Sequence, residues 1–139
     1  GKTRSDDFKF DVIGFNAKMT SMQAVIGLSL IDELPKLFDR RRNNFAFLGG
    51  KEEDGTEVVP HGLALINRQR DRKRLNLAKK GIESRRLFSS IPTQEKAYEF
   101  LGYKLGAFPA AEHIGEYGYY VPCHQNLSMD DLYYLKANI

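Results

Sequence analysis

From Asp11 the chain reads DVIGFNAKMTSMQAVIGLSLIDELPKLFDRRRNNFAFL, and the period of its apolar positions changes along the run. Val12 and Ile13 form a short strand-like piece that ends at a glycine turn, Gly14. Beyond it Met22, Val25, Ile26, Leu30, Leu34, Leu37 and Phe38 recur at helical spacing, and Phe45 and Leu48 extend the stripe. Thr20 followed three residues later by Gln23 is a capping-box start for that helix. Pro35 lacks an N–H and clashes with the preceding turn, so a kink or break is expected at Leu34, with a second helix starting on Pro35. The helical region therefore covers about 19–48. Most of its tail, Asp39 to Asn44, faces solvent, and Gly49-Gly50 stops it.

The segment KEEDGTEVVPHG that follows is turn-rich and polar, with a tip expected to be poorly ordered. Leu63 to Ile66 is a short apolar strand. Asp71 is expected to cap a helix through Lys80, closed by Gly81 in the left-handed C′ position with Ile82 packing back. Ile82 to Phe88 alternates weakly and predicts a strand. Thr93 is expected to cap a helix carrying Ala97, Tyr98 and Leu101, closed at Gly102, and Pro109 to begin another with Ala110, Ile114 and Tyr117 on one side. Tyr119 to Val121 is a strand ended by Pro122. Ser128 with Asp131 is a second capping box, opening a last helix through Leu132, Tyr133 and Leu135. A long helix followed by alternating short strands and helices predicts an α/β or α+β layered domain.

Composition narrows the class. The chain has 139 residues, enough for one modest core, and its 42% hydrophobic and 28% charged content is that of a soluble globular protein. One cysteine, Cys123, excludes an internal disulfide and fits a reducing compartment. No apolar run approaches the roughly 20 residues of a membrane helix, and GKTRSDDF carries no signal-peptide core, so a cytoplasmic location is expected. The net charge of +3 is unevenly placed: nine lysines and arginines between Arg68 and Arg86 face only Asp71 and Glu83. Such a run is either a solvated helix face or an attractor for a phosphorylated partner. No recognition-helix pattern, zinc spacing or RNP-type aromatic motif accompanies it, which argues against nucleic acid.

Three stretches carry a resemblance. GFNAKMTSMQAVIGL followed by LPKLFDRRRNNF, then GIESRRLFSSIPTQEKAYEFLG, then FPAAEHIGEYGYYVPCHQNLSMDDL closely resemble, in that order, the DegT/StrS family of sugar aminotransferases. These are fold-type I pyridoxal-phosphate enzymes acting on nucleotide-linked keto sugars. The family's cofactor lysine, and the aspartate that pairs the pyridine nitrogen, lie upstream of the equivalent of Gly1. The resemblance thus implies a C-terminal small domain over 1–139, with its opening helix bridging to a large lysine-bearing domain absent from this sequence. It also implies a homodimer, an amino-acid donor (commonly glutamate) and a nucleotide-sugar acceptor. Two rivals stand beside it. One is a dehydratase of the same family, in which histidine replaces the lysine. The other is a non-catalytic module holding a phosphorylated partner on the Arg68–Arg86 run.

The same resemblance implies roles for particular residues. Asn16, by itself a turn asparagine, matches the asparagine that reaches the cofactor phosphate in the neighbouring subunit, where an amide donates without adding a full charge. Lys18 could add a cation to that anion site, or be a solvated lysine. Arg85, Phe88, Gln94 and Tyr98 fall where the family contacts its sugar nucleotide. An arginine fork suits phosphate, whereas Phe88 and Tyr98 also read as core or boundary aromatics. The family more often has proline at Arg86, so no role is carried over to that residue. His61, His113 and His124 lack metal-ligand spacing with one another or with Cys123, and His124 reads as a structural histidine. Cys123 has no adjacent base that would make it a nucleophile. No complete catalytic site is local to this chain.

Overall fold

A computed structural model describes residues 19–51, 58–88 and 91–139. The strand-like Val12-Ile13, the Gly14 turn, Asn16, Lys18 and the tip of the segment after Gly50 lie outside them. In chain order the elements are α1 (Ser21–Ser29), α2 (Leu34–Phe47), β1 (Gly62–Ile66), α3 (Arg70–Lys79), β2 (Arg85–Arg86), α4 (Pro109–Tyr117), β3 (Gly118–Pro122) and α5 (Met129–Lys136). Three 3₁₀ turns, Ile31–Glu33, Pro92–Gln94 and Lys96–Leu101, complete the set. This is the expected mixture of helices with one small sheet, and it resolves into two compact units.

One unit comprises the described residues of 16–63 together with 122–139. At its start the capping box forms: Thr20 N–H donates to Gln23 Oε1 at 2.7 Å, and the Gln23 N–H reaches Thr20 Oγ1 at 3.4 Å. The break comes as Pro35 requires, with the Ile31–Glu33 turn separating α1 from an α2 that carries Pro35 in its first turn. The helical region of about 19–48 is thus two helices, as the break expected at Pro35 implies. The apolar stripe on α1 is exposed, with Met22 at 79%, Val25 at 65% and Ile26 at 61%, and α1 buries none of its residues.

The core of this unit gathers Leu48, Leu63, Cys123, Leu132 and Leu135. Its α2 contribution includes a polar residue that periodicity assigned to solvent. Asn44 is 2% exposed, and its Nδ2 donates to the carbonyls of His124 at 2.8 Å and Cys123 at 3.4 Å. Asparagine suits the place because the backbone after β3 needs donors that no sheet neighbour supplies. Arg41 works alongside it, donating to Gln125 Oε1 and to the Pro60 carbonyl. The second capping box opens α5, and Lys136 closes it by donating to the Phe47 carbonyl while lying 4.6 Å from the centre of the Phe47 ring.

The other unit is built by the described residues of 64–121. Its sheet has the order β1-β3-β2, with β2 antiparallel to β3 in the register Arg85↔Tyr120 and Arg86↔Tyr119. Leu77, Ile82, Tyr119 and Val121 are its buried apolar residues. α3 ends as its sequence predicts. Gly81 takes φ +75°, its N–H bonds the Ala78 carbonyl, and the Ile82 N–H bonds that of Leu77, which is a Schellman closure.

Three local expectations are corrected in this unit. α3 starts at Arg70, with Asp71 inside the first turn rather than at the cap, because three arginines claim its carboxylate. The strand expected over Ile82–Phe88 shrinks to Arg85–Arg86, since β2 is an edge strand with one neighbour. The helix expected after Thr93 is two 3₁₀ turns, divided where Glu95 takes an extended backbone; Thr93 Oγ1 caps nothing and is buried without a hydrogen-bond partner. Its closure at Gly102, at φ +74°, is as expected.

Candidate functional site

The basic run contains three arginines that hold the fold, Arg70, Arg74 and Arg86, while Arg68, Arg72 and Arg85 are exposed. The buried Arg70 donates through Nε to Asp71 at 3.0 Å and through its terminal nitrogen to the Gly115 carbonyl at 2.9 Å. Arg86 reaches the other Asp71 oxygen at 2.9 Å, and Arg74 lies 3.9 Å from the carboxylate while donating to the Ser84 carbonyl. The Arg70 hydrogen bond holds the Asp71 carboxyl below its ordinary range, partial burial opposes it, and the charges of Arg70, Arg86 and Arg74 add to the lowering. One carboxylate thus ties α3 to the β2 strand, while Arg70 ties α3 to α4. These contacts account for three of the nine basic residues of the run without any ligand. Arg85, by contrast, is exposed and paired with Glu83 at 2.9 Å.

After β2 the chain makes an excursion from Pro92 to Phe108 that is bonded to α4 through Glu112. Glu112, in the first turn of that helix, accepts from Gln94 Nε2 at 2.7 Å, from the Gly106 N–H at 2.9 Å and from the Phe108 N–H at 3.1 Å. Gln94 Nε2 also donates to the Lys104 carbonyl at 2.7 Å. A carboxylate placed there satisfies open donors at a helix start and sits at the positive end of the helix dipole. The Gln94 bond, then the backbone donors of Phe108 and Gly106, hold the Glu112 carboxyl below its ordinary value.

This excursion, or strap, carries two of the expected ligand contacts. Gln94 and Tyr98 are both half-buried, and Tyr98 lies 6.4 Å from the Phe100 ring. Phe88, 55% exposed, follows β2, and Arg85 lies within it. The four residues therefore belong to one unit, on two pieces of chain. Among the described residues no hydrogen bond or ion pair joins Arg85 or Phe88 to Gln94 or Tyr98. The Glu112 hub was not read from sequence; the spacing Gln94–Glu112 is 18 residues, too long for a local motif to announce it.

Other chemistry is sparse. Among the described residues no cluster of three His, Cys, Asp or Glu side chains could hold a metal ion, and no helix is long and apolar enough to cross a membrane. Cys123 is buried, its Sγ–H directed to the Pro60 carbonyl, and burial pushes the thiol up, against nucleophilic use. His124 accepts from the Asn126 N–H through Nδ1, a structural role as expected.

Comparison with known proteins places this arrangement. The model of the DegT/DnrJ/EryC1/StrS aminotransferase family matches residues 1–139. A relative named GDP-perosamine synthase, from Escherichia coli O157:H7, is 28% identical over 142 residues, covering 93% of this chain and 38% of its own length. The crystal structure of DesV from S. venezuelae superposes with a TM-score of 0.76 at 19% identity, over 95% of this chain and 38% of that one. An aminotransferase of the same family from Brucella abortus gives 0.72 at 21% identity, over 99% and 38%. At those identities the two structures speak for the fold alone. The chain spans well under half the length of the relatives it matches.

Pyridoxal phosphate, which the resemblance brings with it, needs a lysine that is desolvated or crowded by charge to attach covalently. The described lysines do not fit. Lys36, Lys51, Lys79, Lys80, Lys96, Lys104 and Lys136 are exposed and Lys73 is only half-buried.

Proposed function

As the chain belongs to the DegT/DnrJ/EryC1/StrS aminotransferase family, we propose that it is the C-terminal small domain of a pyridoxal-phosphate-dependent aminotransferase. The whole enzyme converts a nucleotide-linked keto sugar to an amino sugar, with an amino acid as donor, and acts as a cytoplasmic homodimer. The observation that carries this reading is a family match running from residue 1 to residue 139 in a chain that covers 38% of its relative. The absence of a suitable lysine among the described residues agrees with attachment elsewhere in the enzyme. The commitment of Arg70, Arg74 and Arg86 to Asp71 and backbone carbonyls takes those three cations out of any phosphate-binding module built on the basic run.

In this reading Asn16 and Lys18 contact the cofactor phosphate across the dimer, and Arg85, Phe88, Gln94 and Tyr98 line the sugar-nucleotide pocket. Replacing Asn16 with Ala removes a donor to a charged acceptor, a loss of roughly 1.5–3 kcal/mol, so cofactor affinity falls by about one to two orders of magnitude. A mixed dimer of the full-length enzyme tests the geometry. One subunit carries both Asn16→Ala and a substituted cofactor lysine, and the other is wild type. Weakened cofactor binding in the wild-type subunit is the expected result. Normal affinity there rejects the cross-interface role.

A further inference from the structure

The hydrogen bonds around Gln94 fix which end of its amide a ligand can meet. A primary amide has two N–H donors and one carbonyl acceptor, and which end is which must be decided from its partners. Here both partners of the nitrogen are acceptors that have no proton to give. One is the backbone carbonyl of Lys104, at 2.7 Å. The other is the Glu112 carboxylate, also at 2.7 Å, whose Oε1 accepts from the N–H groups of Gly106 and Phe108 as well and, as an ionised carboxylate oxygen, is an acceptor only. Turning the amide over would set its oxygen against two acceptors and discard two short hydrogen bonds. Both N–H donors are therefore spent inside the protein. Among the described residues nothing takes up Oε1, and the side chain is only half-buried.

We propose that Gln94 meets the substrate only as a hydrogen-bond acceptor, so that it selects a donor group, a sugar hydroxyl or a base N–H, and has no bond to offer a phosphate oxygen. This rests on the nucleotide-sugar reading above and sharpens it. Glu112 is then a positioning residue: it touches no ligand, but it consumes the donor that would otherwise let the amide rotate. The division of labour within the pocket follows. Arg85, exposed on β2, has the chemistry for the diphosphate, and the strap reads the part of the ligand that carries O–H or N–H groups.

The test uses the full-length enzyme and titration calorimetry. The probes are GDP-mannose, its mono-deoxyfluoro analogues, IDP-mannose, UDP-glucose and inorganic pyrophosphate. Fluorine replaces a hydroxyl without its proton, and the inosine base lacks the exocyclic amine of guanine, so the two sources of a donor are examined separately. In the wild-type enzyme one of these replacements should weaken binding about tenfold, the size of one hydrogen bond. In Gln94→Met that penalty should vanish, while pyrophosphate affinity stays within about twofold. Glu112→Ala keeps Gln94 but frees its amide, and should also erase the penalty. General loosening of the strap would lower all affinities without changing their ratio, so the ratio remains decisive even if either variant is less stable. The inference is overturned if no replacement weakens binding to the wild-type enzyme, if the penalty persists in Gln94→Met, or if that variant loses pyrophosphate affinity about tenfold. Failure of the wild-type enzyme to bind GDP-mannose and UDP-glucose alike would overturn the nucleotide-sugar reading, and this inference with it.

Discussion

Gly118 occupies a position where space, not backbone freedom, dictates the residue. A Cβ there would lie 2.3 Å from the Ile114 carbonyl oxygen and 3.2 Å from Leu87 Cβ. The carbonyl cannot retreat without disturbing the last turn of α4, where it accepts the Gly118 N–H. Gly118→Ala should cost about 1–3 kcal/mol, the usual range for overpacking, seen as a lower denaturant midpoint. Gly81 is the opposite case: nothing would touch its Cβ, but φ is +75°. Gly81→Ala should cost roughly 1–2 kcal/mol through backbone strain alone, and Gly81→Asn less. Sequence disclosed Gly81 because a helix end announces itself within a few residues. It did not disclose Asn44, Asp71 or Glu112. Each of these is defined by partners brought near by folding, and helical periodicity, which placed Asn44 in solvent, carries no information about them.

Among elements, the two capping boxes were legible because all their parts lie within four residues. In α5 the Ser128 Oγ accepts from the Asp131 N–H at 3.1 Å, and Asp131 accepts from the Ser128 N–H at 2.9 Å. Ser128→Ala should cost about 1 kcal/mol. The Ser128 hydrogen bonds lower the Asp131 carboxyl below its ordinary 3.8. A lowered folded-state value means the contribution is fully present above the unfolded value and is lost as pH falls through the folded one. The gap in denaturant midpoint between wild type and Asp131→Asn should therefore hold above about pH 5 and narrow in acid, below 3.8. A gap that instead widened on acidification would contradict the assignment. The strap was misread as a helix because its local cues, a threonine before a run with apolar spacing and a closing glycine, are those of a helix. The extended Glu95 and the distant pull of Glu112 on Gln94, Gly106 and Phe108 reshape it.

For the molecule as a whole, α1 is the informative element. Its apolar residues repeat at helical spacing, yet none is buried. A contiguous exposed apolar face of this kind seeks a partner. The 139-residue chain on its own should therefore self-associate, and Ile26→Glu should reduce that. Sedimentation velocity across a wide concentration range would show it, and a single compact monomer throughout would count against it. The element order, the small mixed fold and the family were legible from sequence, since three motifs in fixed order span most of the chain. What covers α1 was not, because the period of a helix shows which face is apolar and not what packs on it. The central claim, that this chain serves in amino transfer to a nucleotide-linked keto sugar, is tested most directly by isotope transfer. The full-length enzyme would be incubated with pyridoxal phosphate, ¹⁵N-glutamate and a panel of nucleotide-linked keto sugars, and the sugar products examined by mass spectrometry. The account predicts a product in which the keto oxygen is replaced by a ¹⁵N amine. A product that has lost a hydroxyl and carries no ¹⁵N would contradict it and point to a dehydratase.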